Sequence, residues 1–165
     1  RTMYYLSIIC ARRSIYIADP YFVPDESAID ALVDARTRGG DVRIMVSGIH
    51  NDNWLARHNS VRLFGPMLRA GIEVLEFNRT MLHHKTMIVD AAWATVGTTN
   101  FDNRSFAHNE ENNICFHDAD IACAMHETFL ADGTGCDRVT LAGWRRRGLI
   151  RRAGGGGAAV PQGRV

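Results

Sequence analysis

The sequence predicts an α/β fold in which one mixed β-sheet lies between helices on both faces. In the first half of the chain, apolar strand-like runs alternate with amphipathic segments, which favours parallel strands joined by helices. Beyond residue 80, two extended runs follow one another without a helix, which favours an antiparallel pair. The length of 165 residues and the 46% hydrophobic content suffice for one hydrophobic core and exclude wholesale disorder.

The first half of the chain is predicted to form a helix followed by a βαβαβ unit. Three short apolar segments have the composition of buried strands: Ser14–Ala18, Asp41–Ser47 and Ile72–Phe77. Amphipathic segments predict one helix before this unit and two within it: Thr2–Arg13, a helix capped by Asp25 or Ser27 that runs to Arg38, and Ser60–Ala70. Glycines after the second and third helices end them. Because a helix connects each strand to the next, the three strands are expected to lie parallel.

The second half is predicted to add an antiparallel part to the same sheet. The extended runs and closing helices are expected at Met81–Asp90, Trp93–Thr98, Asn112–His117, Ala119–Leu130 and Val139–Arg147. From Gly148 the chain loses its periodicity and includes four consecutive glycines, which predicts a flexible tail. We therefore expect one domain over residues 1–147 and a Gly- and Arg-rich tail over 148–165.

Charge is distributed unevenly along the chain. There are 19 Lys and Arg residues against 18 Asp and Glu, but residues 138–165 hold seven Arg and no acidic residue. The body is therefore acidic, and the basic tail is either a solvated terminus or a contact for an anionic partner. No apolar run is long enough to cross a bilayer and no signal peptide is apparent, while the helix-like start indicates a piece of a longer protein.

Polar groups suited to catalysis concentrate around the predicted hairpin. His83 and Lys85 are two residues apart, so on a strand their side chains share one face. A two-residue turn at Ala91-Ala92 would place Asn100 opposite His83 and Thr98 opposite Lys85. The hairpin would thus bring an imidazole, an ammonium, an amide and a hydroxyl together, provided that the turn has an even number of residues.

These groups match the chemistry of a phosphodiester. Lys85 can neutralise a non-bridging oxygen, and Asn100 and Thr98 can donate hydrogen bonds to the same group. His83 can attack phosphorus or protonate a leaving oxygen. Its second ring nitrogen needs an acceptor, which either Glu110 or Glu111 could supply.

The sequence contains no carboxylate cluster for magnesium and no phosphate-binding glycine loop. The four cysteines have no metal-like spacing and are expected to be reduced and mostly buried. We therefore expect metal-free chemistry without a cofactor.

The hairpin residues resemble the signature of the phospholipase D superfamily. His83, Lys85 and Asp90 fit the pattern His-x-Lys-x4-Asp, and the segment from Gly97 to Glu111 is similar to the downstream block of that family. The upstream Pro20–Asp25 segment resembles the second half of bacterial cardiolipin synthases. The resemblance covers roughly Thr2 to Arg147 and implies a phospholipase D-like half-domain.

The resemblance also implies roles for individual residues. His83 would be the phosphohistidine nucleophile or its acid–base counterpart, and Glu111, rather than Glu110, would orient the imidazole. Asp90 belongs to the motif but is usually structural in this family. The implied residues are the catalytic set His83, Lys85, Asp90, Asn100 and Glu111, with Lys85, Asn100 and Thr98 binding the substrate phosphate.

The implied function is phosphatidyl transfer of the cardiolipin synthase type, through a phosphohistidine and without metal. Such a site needs two His-x-Lys motifs and this chain has one, so a missing N-terminal half or a homodimer mate would supply the other. The expected partners are a phosphatidylglycerol-like phospholipid, that second half and a membrane surface, with nucleic acid less favoured. The expected location is a bacterial membrane surface.

Two alternatives remain open from the sequence. The chain could form a homodimeric phospholipase D-like phosphodiesterase or nuclease. It could also be a non-catalytic half-domain that binds lipid or a partner.

Overall fold

The computed structural model of the chain describes residues 2–102, 105–106 and 110–154, with side chains described up to residue 147. Within these residues one mixed sheet has seven strands, ordered β6-β5-β4-β1-β2-β3-β7. The strands are β1 Ser14–Ala18, β2 Asp41–Ser47, β3 Glu73–Phe77, β4 Lys85–Val89, β5 Trp93–Gly97, β6 Asn113–Phe116 and β7 Cys136–Arg138. Strands β1, β2 and β3 are parallel, and the remaining pairings are antiparallel.

Helices cover both faces of this sheet, which confirms the predicted fold class. The described helices are α1 Thr2–Cys10, α2 Glu26–Thr37, α3 Trp54–Arg69, α4 Ala119–Gly133 and α5 Leu141–Gly154. One core cluster packs the sheet against α1, α2 and α3, and a second packs it against α4. Helix α5 lies against α3, where the Trp144 indole donates to the Val61 carbonyl at 2.6 Å.

The βαβαβ prediction is confirmed, since β1 and β2 have the predicted bounds. Helix α3 begins six residues earlier than predicted, because the Asn53 side chain caps it by accepting from the Ala56 N–H at 3.0 Å. The short strand β7 was not predicted. Helix α5 continues to Gly154, beyond the predicted domain boundary at Arg147, and residues 155–165 lie outside the described part.

The predicted register of the β4–β5 hairpin is wrong. The structure pairs Lys85 with Gly97 and Val89 with Trp93, so the turn contains three residues rather than two. Asp90 and Ala91 both have positive φ, at 56° and 50°, which accommodates the additional residue. Thr98 therefore does not lie opposite Lys85.

The cysteines also differ from expectation. Cys10, Cys115 and Cys123 are exposed and Cys136 is half-buried, and all four are free thiols. The expectation that they are mostly buried is therefore wrong.

One edge of the sheet collects the polar residues that the sequence singled out. Strands β1, β2 and β3 end at this edge, β4 begins there, β5 ends there and β6 begins there. We call it the site edge. Gly97 allows β5 and β6 to approach closely there, because a Cβ atom at this position would lie 2.2 Å from the Asn112 carbonyl oxygen.

Candidate active site

His83 lies in the chain between the buried residues Leu82 and Lys85, while its own side chain is exposed. Leu82 lies in the core, and its carbonyl accepts a hydrogen bond from the Ser47 hydroxyl at 3.1 Å. Lys85 is the first residue of β4 and is buried. The backbone around His83 is thus fixed on both sides, and the imidazole remains accessible to a substrate.

Lys85 contacts His83 twice. Its ammonium donates to the His83 carbonyl at 2.7 Å and lies 3.1 Å from the His83 Nδ1. An ammonium only donates, so Nδ1 is the acceptor and the proton of a neutral ring sits on Nε2. In this tautomer Nε2 carries the only ring proton, whereas protonation of a leaving oxygen requires the doubly protonated imidazolium. Attack by Nε2 would require the proton to move to Nδ1 and an acceptor to face it.

Three carboxylates of the described residues favour the charged form of Lys85 but do not outweigh its burial. Burial lowers the pKa of Lys85, and the negative charges of Asp19, Glu111 and Asp52 oppose this effect. Glu111 is half-buried whereas Glu110 is exposed, and the Glu111 charge acts on Lys85. The predicted orientation of His83 by Glu111 remains a prediction.

Asp19 is a site-edge residue that sequence reasoning missed. It follows β1 directly and is buried, and its carboxylate accepts from the backbone N–H groups of Tyr21 at 2.8 Å and Phe101 at 2.9 Å. Burial raises the pKa of Asp19 to about 7, against the opposing effects of both N–H donors and of Lys85. The signal in the sequence was an acidic residue directly after a continuous apolar strand.

Asn100 lies in the loop that follows β5. Its amide nitrogen is 3.4 Å from the Ser105 hydroxyl, and its Oδ1 is buried with no hydrogen-bond partner among the described residues. A buried amide oxygen without a partner is costly unless a ligand or water satisfies it. This loop belongs to the same edge as Lys85, because the next residue, Phe101, is bonded to Asp19.

Thr98 occupies a different position from the predicted one. It is exposed, and its hydroxyl accepts from the Asn112 N–H at 3.0 Å, where the chain passes from β5 to β6. Its predicted role in phosphate binding is not tested and remains a prediction.

Tyr21 forms one wall of the site. Its ring meets the His83 ring edge-on at 6.5 Å, and the Lys85 ammonium lies 5.9 Å from its centroid. Its hydroxyl donates to the Asp52 carboxylate, which ties the loop after β2 to this wall. Burial and the contact with Asp52 raise the pKa of Tyr21 to about 12.

Asp90, carried over with the catalytic set, is not part of this cluster. It follows the opposite end of β4, and its carboxylate accepts from the backbone N–H groups of Arg12, Arg13 and Ser14. Burial alone would raise the pKa of Asp90, but these donors outweigh burial and lower it. The carboxylate therefore holds the α1–β1 connection against the hairpin turn, in keeping with the structural role expected of this motif position.

In the ranges that the structure describes, no group of three or more His, Cys, Asp and Glu side chains could hold a metal ion. No described helix is long and apolar enough to cross a membrane.

The fold and the cluster at the site edge define a phospholipase D-like domain. Residues 6–132 match the profile of the family described as "Cardiolipin synthase, PLD-like domain", and the chain belongs to that family. It is 40% identical over 150 residues to the probable cardiolipin synthase YwiE of Bacillus subtilis, and 38% identical over 154 residues to a cardiolipin synthase of Clostridium perfringens.

The chain spans only about a third of the length of these relatives. The matches cover 91% and 92% of this chain, but 30% and 32% of the respective relatives. The segment that matches the family profile includes every residue of the predicted catalytic set.

Solved structures show the same fold. Nuc, a phospholipase D family member from Salmonella typhimurium, superposes with a TM-score of 0.73 at 22% identity, over 85% of this chain and 90% of that one. A phosphatidylserine synthase from Haemophilus influenzae gives a TM-score of 0.66 at 14% identity, over 92% of this chain and 42% of that one. At these identities the likeness concerns the fold alone.

Proposed function

We propose that this chain is one half of a phosphatidyltransferase of the cardiolipin synthase type. The observation that carries the proposal is the direct contact of a buried lysine with an exposed histidine, at an edge that also holds an amide oxygen, Asn100 Oδ1, with no hydrogen-bond partner among the described residues. The cardiolipin synthases to which the chain is similar support the choice of a phospholipid as substrate. The finer choice of a phosphatidylglycerol-like donor belongs to this proposal.

In the proposed reaction, an imidazole nitrogen attacks phosphorus and the P–O bond to the leaving alcohol breaks. The leaving alkoxide takes a proton from the imidazolium of the second motif, which becomes a neutral imidazole. A hydroxyl of a second lipid then attacks the phosphohistidine, giving its proton to that same imidazole, and the P–N bond breaks. His83 takes one of these two imidazole roles, while Lys85 and Asn100 stabilise the phosphoryl oxygens.

The test uses the chain assembled with a second half that bears a His-x-Lys motif, with phosphatidylglycerol as substrate. His83→Ala should lower turnover by at least about 10²-fold, because general acid–base assistance is worth that much or more. The matched control is His84→Ala, which removes the adjacent exposed imidazole and should leave turnover within about twofold of the parent. Equal losses in both variants would contradict the assignment of His83.

The proposed transfer needs no metal ion. Turnover by the same assembly should therefore persist in EDTA. Loss of activity that added magnesium or calcium restores would contradict the metal-free route.

A membrane surface is the proposed environment of the site edge. Ile49, Trp54 and Leu55 lie in and just after the loop that follows β2, with 72%, 74% and 54% of their surfaces exposed. Asp52, in the same loop, binds the hydroxyl of Tyr21 beside His83. Exposed tryptophan and aliphatic side chains next to a phosphodiester site are typical of contact with a lipid interface.

A homodimeric phosphodiesterase is the second candidate. The observation that favours it is that the fold of this chain covers 90% of Nuc, whereas it covers about a third of the curated cardiolipin synthases. In that case two copies of His83 would face each other. A stable dimer whose turnover depends on His83 would favour this candidate over the half-enzyme, and a non-catalytic half-domain would show no such turnover in any assembly.

A further inference from the structure

Asp19 joins two loops of the site edge. Its carboxylate binds the Tyr21 N–H in the segment after β1 and the Phe101 N–H in the segment after β5, which is 82 residues further along the chain. Its own N–H donates to the Met45 carbonyl at 3.0 Å, which anchors it to β2. A buried carboxylate with these three anchors has a defined position.

The contact with Phe101 determines where Asn100 sits. The Phe101 carbonyl accepts from the Val23 N–H at 3.0 Å, so the backbone directly after Asn100 is bonded on both sides to the β1 segment. The Phe101 ring is buried against Tyr4 and Phe22, with centroid distances of 5.4 and 5.2 Å. Removing the Asp19 carboxylate would leave the Phe101 N–H without its acceptor.

The same carboxylate also affects the other side of the cluster. Ala18 of β1 pairs with Thr86 of β4. Asp19 and Lys85 adjoin this pair, so they lie side by side across the sheet, and the charge of Asp19 acts on Lys85. The hydrogen bond of Asp19 to the Tyr21 backbone places the ring that lies beside His83. Asp19 thus connects the Asn100–Phe101 backbone, Lys85 and the Tyr21 ring beside His83.

We propose that Asp19 is a positioning residue of the candidate site, which holds the Asn100–Phe101 backbone and supplies a buried counter-charge to Lys85. The proposal rests on the proposed phosphodiester chemistry of that site. Displacement of a catalytic group by about 1 Å can cost roughly 10²-fold in rate. Asp19→Asn replaces one of the two accepting oxygens with an NH2 donor, and it should therefore lower kcat/KM by about that factor.

The counter-charge predicts coupling between proton uptake and substrate binding. An arriving phosphodiester anion would compete with Asp19 for the charge of Lys85 and so favour the protonated carboxyl. Several groups besides Lys85 bear on this balance. Among the described residues, Asp102 and Tyr4 act on or are acted on by Asp19, and Tyr21 binds it through its backbone N–H. His83 contacts Lys85, and Asp52 and Glu111 act on Lys85.

Carbon-detected NMR of the Asp19 carboxyl tests the charge pairing in the purified chain. Because Lys85 lowers the pKa of Asp19, Lys85→Met should raise it. An unchanged Asp19 pKa in this variant would overturn the counter-charge role. This measurement does not require Asp19→Asn to fold.

Kinetics of the assembled two-motif enzyme test the positioning role. In the parent, KM for short-chain phosphatidylglycerol should rise as the pH increases through about 7. In Asp19→Asn, KM should no longer rise through about pH 7, and kcat/KM should be lower than in the parent. The control, Asp41→Asn, changes a half-buried carboxylate at the opposite edge that accepts from Tyr16 and Arg43, and it should retain the step.

The outcomes separate the two proposals. If His83→Ala retains turnover, the proposed function fails. If His83→Ala abolishes turnover while Asp19→Asn keeps the parental rate and pH profile, only the role of Asp19 is overturned.

Discussion

Lys85 acts on both charge and geometry at the candidate site. It is the single lysine of the chain, against 18 arginines, and its ammonium reaches both the carbonyl and the Nδ1 of His83. A compact ammonium can make these two short contacts from a buried position, whereas a planar guanidinium has a larger, fixed fork of donors. The residue type at this position therefore follows from the space beside His83 as well as from the need for positive charge.

Asp90 provides a residue-scale prediction about stability and pH. Asp90→Asn should lower the free energy of unfolding by about 1–3 kcal/mol near pH 6, because the backbone donors of residues 12–14 lose a carboxylate acceptor. The folded-state pKa of Asp90 lies below its ordinary value. Its stabilising effect is therefore present above about pH 4 and is lost as the pH falls through the folded pKa.

Urea unfolding at pH 6 and at pH 2.5 measures this effect. The difference between parent and variant should shrink at the lower pH. Asp118→Asn is the control, since asparagine caps a helix about as well as the aspartate that precedes α4. A difference of the same size at both pH values would show that ionisation of Asp90 is not the cause.

At the scale of elements, the close approach of β5 and β6 predicts the effect of a small substitution. Gly97→Ala should destabilise the chain by about 1–3 kcal/mol, because the new methyl group would meet the Asn112 carbonyl and the Asn113 side chain. Gly133→Ala is the matched control, since its nearest neighbour would be the Leu75 Cδ1 at an ordinary 3.5 Å. Equal unfolding midpoints for Gly97→Ala and the parent would contradict the packing of these strands.

The loop after β2 and the start of α3 predict a contact with lipid. Trp54 is exposed, whereas Trp93 and Trp144 pack partly against the core, so a blue shift of fluorescence on adding phosphatidylglycerol vesicles should come from Trp54. Trp54→Ala should weaken vesicle binding about tenfold or more, as burial of one large side chain is worth about 1.5–3 kcal/mol.

Sedimentation with vesicles measures this binding. The control is Leu130→Ala, which removes an exposed apolar side chain from α4 and should leave binding unchanged. Equal weakening by both substitutions would indicate general stickiness rather than a lipid-contacting loop.

For the whole molecule, the proposed mechanism predicts that the isolated chain is catalytically deficient. The isolated chain has only the imidazole of its own His-x-Lys motif, and no second motif to protonate the leaving group. Its turnover should therefore be at least about 10²-fold below that of the two-motif assembly. The measurement is phosphatidylglycerol turnover by the purified chain across a concentration series. Turnover that depends on His83 and rises with dimer content would contradict the half-enzyme proposal and favour the homodimer.

Local features of the sequence determined much of this molecule. The continuous apolar runs of β1 and β2 and the glycines after the helices predicted a parallel βαβαβ unit, because burial on both faces of a strand requires such composition. The contact of His83 with Lys85 was also predictable. Two residues at this spacing are neighbours in an extended chain whatever the remainder of the fold does.

Only the tertiary structure decided the hairpin register and the environment of the acidic residues. The three-residue turn includes Asp90, whose carboxylate binds a backbone segment more than 70 residues earlier in the chain. Asp19 acquires its role from Phe101, 82 residues away. Such contacts form only when the sheet brings distant parts of the chain together. Both aspartates directly follow an apolar strand, so no local pattern could indicate that Asp19 would lie beside Lys85 and that Asp90 would hold a turn.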